Sequence, residues 1–401
     1  MAELFFLPDA AMLGSRLLWF GVLVLAAIVA GELFERWLRL PRIVGFVGAG
    51  IALGPQAAGL IDTDALFDLR IFLHVTLGLV LFELGQRVDL GWLRRNPWLL
   101  ATSLLEASVS FAAVFGMLVV FDVHPVVAAM AAAIAVGTSP AVVITVAKDL
   151  RAQGQVTERL LLLATLNSVY AYLALTMLFA WAHLEYRRAW TAVVLHPLYL
   201  IVGAALLGLL LAGVALWLMR HLGKRTDAQF VGVVALVMIA IALASALKLP
   251  VLLTLLSFGI LTRVLDRERR FVSLALGRTG TLAIAVLFSL TGASLDFRQF
   301  HIGAMAALAL VAVRFAGKTL GVLALARPSA LVLRKAALLS IGLAPMSGVA
   351  LLLVQDMLSL YPEFGTQLSA VMFSAIVMLE ILGPLAVHYA LKQAGEAAER
   401  T

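Results

Sequence analysis

Long apolar runs separated by short polar connections recur from one end of the chain to the other. Thirteen of them, at about 12–32, 43–60, 68–86, 97–121, 125–147, 158–182, 194–219, 228–247, 249–263, 273–293, 302–325, 333–355 and 366–391, are long enough to cross or nearly cross lipid hydrocarbon. That layer is about 30 Å thick and takes roughly 20 helical residues. The pattern therefore predicts an all-α polytopic membrane protein with about thirteen transmembrane helices. The connections are too short for a soluble domain, so residues 1–401 read as one membrane domain. Glu3 and Asp9 precede the first run and no basic segment does, so that run reads as a retained helix rather than a signal peptide.

Composition sharpens this reading. Of 401 residues, 63% are hydrophobic and 13% charged, where soluble domains have about half and a quarter. The chain contains no cysteine, which excludes disulfides, thiolate chemistry and Cys-ligated metals. The formal charge of +7 is unevenly placed: of two alternating sets of connections, the set with the C-terminal tail holds 21 Lys and Arg and the other holds 6. Basic residues collect in cytoplasmic loops, so the C-terminus is expected in the cytoplasm and, with an odd number of spans, the N-terminus outside. The same split accounts for the basic charge without a nucleic-acid partner. Arg278, Arg314 and Lys318 remain, within or at the ends of predicted spans.

The chain also resembles itself. "LPRIVGFVGAGI" at 40–51 and "LPVLLTLLSFGI" at 249–260 share Leu-Pro at the start and Gly-Ile nine residues past the proline. Counted from those prolines, Pro140 in "GTSP" lies at +99 and Pro345 in "LAPMSG" at +95, while Glu106 and Arg314 lie at +65 and +64. The two prolines open spans of opposite direction, so the chain reads as inverted repeats of about 41–182 and 250–391, with the first helix and 194–247 peripheral or linking. Proline inside a membrane helix removes a donor and clashes with the preceding turn. Pro140, Pro345 and Gly348 therefore mark local unwinding over 136–142 and 342–350. Unwound backbone at that depth is tolerated where it is buried in protein or lines a wet cavity, and paired breaks in inverted halves point to a midplane substrate site.

These segments resemble the monovalent cation:proton antiporter superfamily, the sodium/hydrogen exchanger membrane domain. "GFVGAGIALGP" (45–55) is similar to its glycine-rich second helix and "LFELGQRVDL" (81–90) to the end of its third. "GTSPAVV" (137–143) resembles its unwound crossing helix, "VRFAGKTLGV" (313–322) the helix with its embedded basic residue, and "LEILGPL" (379–385) its last helix. The resemblance implies a thirteen-helix antiporter fold, usually homodimeric, with two crossed broken helices that move against a dimerisation scaffold. It also implies monovalent cation and proton as the transported species and a bacterial inner membrane as the location. Many relatives carry a cytosolic nucleotide-binding domain, and this chain ends before one could begin.

One departure matters. The sixth helix of the family carries an aspartate that binds Na⁺, K⁺ or H⁺ in turn, and here "TLNSVYAYLAL" (165–175) places Ser168 at that position; Ser139 stands where one branch has a second acid. A hydroxyl offers a lone pair to a cation and does not titrate. The expected ion site is Thr138, Ser139, Asn167 and Ser168, flanked by Glu83, with Arg314, Lys318 and Glu106 as charge-balancing groups. Glu83 and Glu106 read either as the surviving carrier or as ion-pair partners of Arg314 or Lys318. Glu380 reads as a packing or helix-end residue, His74 as an interior imidazole, Tyr170 as a packing aromatic, and Asp62, Asp64 and Asp68 as a solvated loop. Three functions stay open: cation/proton exchange with a relocated carboxyl, transport of an anionic or neutral solute, and a non-transporting sensor that keeps the fold. "GFVGAG" begins a membrane helix instead of joining a strand to one, and there is no His pair at metal spacing, so neither an enzyme, a cofactor nor a metal is expected.

Overall fold

The structure, a computed structural model, describes residues 16–88, 96–187, 190–222, 226–266, 277–295, 297, 300–346, 350, 353–354, 357 and 366–398. Regular structure among these residues is helical throughout. In chain order the helices are α1 (Arg16–Trp37), α2 (Arg42–Leu53), α3 (Thr63–Arg87), α4 (Pro97–Val120), α5 (Pro125–Val136), α6 (Pro140–Asp149) and α7 (Gln155–Arg187). They continue with α8 (Trp190–Leu222), α9 (Thr226–Ala246), α10 (Val251–Leu265), α11 (Gly277–Ala293), α12 (Phe300–Ala324), α13 (Leu333–Gly342) and α14 (Thr366–Gln393). All thirteen apolar segments contain helix; α5 and α6 share the fifth, and α13 opens the twelfth. By length and apolarity the described helices supply eight membrane spans, nine with α3, beside three shorter apolar helices at Arg42–Leu53, Val251–Leu265 and Leu282–Ala293.

Local chemistry sets the boundaries. The second segment stops at Leu53 because Gly54 is extended (φ −72°, ψ 177°), the conformation favoured before a proline such as Pro55. The third starts early because the Asp62 carboxylate accepts the Ala65 amide at 2.6 Å, capping the helix. Asp62, Asp64 and Asp68 are exposed, but Asp64 lies in the first turn of α3 and Asp68 pairs with Arg16 from within it, so only Asp62 belongs to a loop. Helices α4, α5 and α6 each begin on a proline at the first helical position, where the fixed φ suits a helix and no N–H is needed.

Two compact units divide the chain, residues 1–73 with 278–295 and residues 74–277 with 296–401. In the first, α2 packs along α1, and Leu23, Ile61, Ala65, Leu69, Val286 and Leu290 close a core. In the second, α8 packs on α10 and α9 around Phe82, Leu211, Val237 and Phe258. The same unit holds α12 against α4, α13 and α14, and α7 against α5, α6 and α13. Every α5 residue from Val126 to Val136 is buried. A run as small as "AAMAAAIAV" lets neighbours approach on all sides, and a helix apolar all round belongs in an interior.

Candidate functional site

Helix α5 ends at Val136 and α6 starts at Pro140, with Gly137 (ψ 131°) and Ser139 (ψ 105°) extended between them. Helix α13 ends at Gly342, and 343–346 are non-helical. The two breaks touch: the Ser139 amide donates to the Pro345 carbonyl at 3.1 Å, and the Thr138 hydroxyl to the Leu343 carbonyl at 3.3 Å. Ser139 accepts the Val142 amide at 3.4 Å and so caps α6. Pro140 and Pro345 thus sit at adjoining interruptions; Gly348 lies outside the described residues.

Arg314 ties both breaks together. Its guanidinium donates to the carbonyls of Ala135 (2.6 Å), Gly137 (2.8 Å), Ala344 (2.7 Å) and Pro345 (3.4 Å). Lys318, one turn further along α12, donates to the Val136 carbonyl at 3.0 Å and pairs with Glu106 of α4. Arg314 is 1% exposed, and Lys318 and Glu106 are 0% exposed. Helix C-termini leave carbonyls without donors and carry roughly half a negative charge. The carbonyls at these two ends and the Glu106 carboxylate supply the negative partners of the two cations.

Close helix contact makes this possible. A Cβ on Gly321 would lie 2.4 Å from the Glu106 Cα, and one on Gly317 would lie 2.8 Å from the Ser110 Cα. "GKTLG" is therefore a small-xxx-small contact, placing Lys318 against α4 between its two glycines. That signal stands in the sequence itself.

The polar stretch at 165–170 of α7 packs onto the first break. Ser168 of α7 donates to the Thr138 carbonyl at 2.8 Å, and the Asn167 amide donates to the Thr138 hydroxyl at 3.3 Å. Thr138 and Asn167 are fully buried. The Asn167 Oδ1 has no hydrogen-bond partner among the described residues. Thr138, Ser139, Asn167 and Ser168 therefore come together as expected, as a neutral cluster of oxygens.

Glu83 and Glu106 behave differently from each other. Glu106 takes Lys318, whereas Glu83, 6% exposed, takes Lys148 at the end of α6 at 2.6 Å. Lys148 reads from sequence as a loop residue, and nothing in one sequence marks a partner 65 positions away. Tyr170 lies in an apolar cluster with Ala107, Phe111, Val136 and Ala171, its hydroxyl 3.4 Å from the Ser103 hydroxyl. Glu380 is the fifteenth of 28 residues in α14, so it is mid-helix and not a helix-end group.

At the far end of α7 a cavity of about 930 Å³ is lined by Leu84, Gln155, Glu158, Arg159, Thr165 and Arg263, among others. Thr165, its innermost α7 residue, is one turn before Ser168. Beside it the Glu396 carboxylate caps α7, accepting the amides of Val156 (2.9 Å) and Thr157 (2.8 Å), the Thr157 hydroxyl (2.9 Å) and Lys335 (3.4 Å). Gly154, at φ +152°, has no room for a Cβ, which would lie 2.3 Å from that carboxyl carbon. Burial acts to raise the pKa of Glu396, and the four hydrogen bonds outweigh it and hold the group below its ordinary value of 4.5. A depressed carboxylate stabilises the fold above its unfolded pKa and stops doing so as pH falls through the folded one. Glu396→Ala should cost about 1–2 kcal/mol at neutral pH, and the gap between variant and parent in thermal unfolding should close below that ordinary value.

The family model for the transmembrane sodium/hydrogen exchanger matches residues 22–392. The chain belongs to this family. Members of the sodium/hydrogen exchanger family are transporters and not enzymes, and this exchanger-family chain is a multi-pass membrane protein. Over 98 residues it is 32% identical to the Na⁺/H⁺ antiporter NhaS5 of Synechocystis sp., a match covering 24% of this chain and 13% of that relative. The sodium proton antiporter MjNhaP1 from Methanocaldococcus jannaschii, at pH 8, superposes with TM-score 0.72 at 17% identity, over 95% of this chain and 97% of that one. A second structure of MjNhaP1, from a three-dimensional electron-microscopy map, gives TM-score 0.73 at 17% identity over 98% and 100%. At that identity the likeness shows a shared fold, the sodium/proton antiporter fold.

Proposed function

We propose that this exchanger-family chain is a secondary active transporter that exchanges a monovalent cation, Na⁺ or K⁺, for protons by alternating access. Its cation site is the oxygen cluster of Thr138, Ser139, Asn167 and Ser168, with Ser168 in place of the usual carrier aspartate. The observation that carries this reading is the junction of both helix breaks on Arg314, with that cluster packed directly against the first. Neutral oxygens suit a weakly bound monovalent cation, and the cavity reaching Thr165 is a route toward them. An anionic solute is less well served, because Arg314 and Lys318 are already occupied by carbonyls and Glu106.

The repeat boundaries of about 41–182 and 250–391 belong to this proposal. So do a homodimeric assembly in the bacterial inner membrane, an external N-terminus and a cytoplasmic C-terminus, which puts the Thr165 cavity on the cytoplasmic side. Because the chain has no cysteine, Ser168→Cys places one thiol at the site without further engineering. Membrane-impermeant thiol reagent added to either face of sealed vesicles should modify it, more slowly when Na⁺ or K⁺ is raised. Modification from one face alone, under every cation and pH condition, would sink alternating access at this position.

A further inference from the structure

Exchange needs a group that binds and releases protons, and none of the four residues of the oxygen cluster titrates in the working range. Among the described residues, three glutamates are buried within membrane helices of the second unit: Glu83 at 6% exposure, Glu106 at 0% and Glu380 at 1%. Glu83 and Glu106 have basic partners, Lys148 and Lys318. Glu380 has no basic partner among the described residues, and its Oε2 has no hydrogen-bond partner there.

The charged groups on helices packed against α14 are Arg314 and Lys318 on α12, Arg334 and Lys335 on α13, and Lys148 and Asp149 on α6. His388 and Lys392 lie further along α14 itself. None of them forms a hydrogen bond or ion pair with Glu380. A second observation falls at the same place. Pro384, inside α14, has no N–H to offer the main-chain carbonyl of Glu380, four residues earlier. Helix α14 therefore carries an unpartnered carboxyl oxygen and a carbonyl deprived of its helical donor at one residue.

That residue is coupled to the second break. Gly383, one turn on, faces Pro345 so closely that a Cβ there would lie 2.8 Å from the Pro345 Cα. Any rearrangement of 343–346 must be felt at this contact. We propose that Glu380 is the proton-binding carboxyl of the exchange cycle, separate from the cation oxygens at Thr138, Asn167 and Ser168 and worked by movement of the Pro345 break. The inference rests on the exchange function proposed above. In the conformation described the carboxyl is sealed from water, and an unpaired carboxylate there is strongly disfavoured. Opening beside Pro345 would let it release its proton to one side and take one from the other, with a cation held at the oxygen cluster in between.

The test compares unmodified protein, Glu380→Gln and Glu380→Asp in proteoliposomes, following Na⁺ or K⁺ flux and internal pH, together with infrared spectra. The expected result is loss of proton coupling in Glu380→Gln, a displaced pH profile in Glu380→Asp, and a protonated-carboxyl C=O band that alkaline pH removes and Glu380→Gln lacks. If Glu380→Gln does not fold, the displaced profile of Glu380→Asp carries the test. Exchange by Glu380→Gln with an unchanged pH profile overturns this inference and leaves the exchange reading intact. Absence of flux in unmodified protein overturns the exchange reading, and this inference with it.

Discussion

Arg314→Ala should lose on the order of 3–5 kcal/mol of stability, because it strips the donors from buried carbonyls at both helix breaks. Ala135, Gly137 and Ala344 receive their guanidinium bonds at 2.6–2.8 Å. Each buried acceptor left unpaired costs about 1–3 kcal/mol, less whatever entering water restores. Arg314→Lys should recover only part of the loss, since an ammonium is a compact charge and lacks the planar fork that reaches carbonyls on two helices. Thermal unfolding in detergent measures both. An Arg314→Ala protein as stable as its parent would mean that the breaks are held by other contacts.

Ser168→Asp should create a cation site of a different kind. The Ser168 hydroxyl donates to the Thr138 carbonyl at 2.8 Å, and a carboxylate in its place would face that carbonyl with no proton to share. Either a proton or a bound cation between the two oxygens relieves the repulsion, so the two compete for one position. Na⁺ or Li⁺ should then stabilise the variant, by about 2.7 kcal/mol at a concentration near 100 Kd, and the effect should fade as pH drops. Flux through the variant should gain a new cation-dependent limb in its pH profile. Identical cation responses in parent and variant would show that position 168 does not touch the transported ion.

Much of this arrangement was legible in the chain. The thirteen apolar segments and the breaks at Pro140 and Pro345 follow from apolar length and from proline inside membrane helices, which are local properties, whereas the grouping of Thr138, Ser139, Asn167 and Ser168 follows from the family resemblance. Partner choice was not legible. Glu83 reads from sequence either as the surviving carrier or as a partner of Arg314 or Lys318, and it takes Lys148, because pairing across 65 residues depends on how helices cross. Arg314 was expected to need an acid, and carbonyl dipoles serve instead, a solution visible only once two helix C-termini meet. The cap that Glu396 places on α7 spans 240 residues and is silent in sequence for the same reason. Glu380 reads from sequence as a packing or helix-end residue, and the lack of a hydrogen-bond partner for its Oε2 among the described residues shows only once the helices are packed.

The most direct measurement is flux through the unmodified protein, reconstituted at defined orientation, with Na⁺ or K⁺ inside and an imposed pH gradient. Exchange at the paired breaks predicts cation efflux that tracks proton uptake in fixed proportion, reverses with the gradient and stops when protons are equilibrated. A sealed, folded preparation that moves neither Na⁺, K⁺ nor Li⁺ against protons at any pH would contradict it.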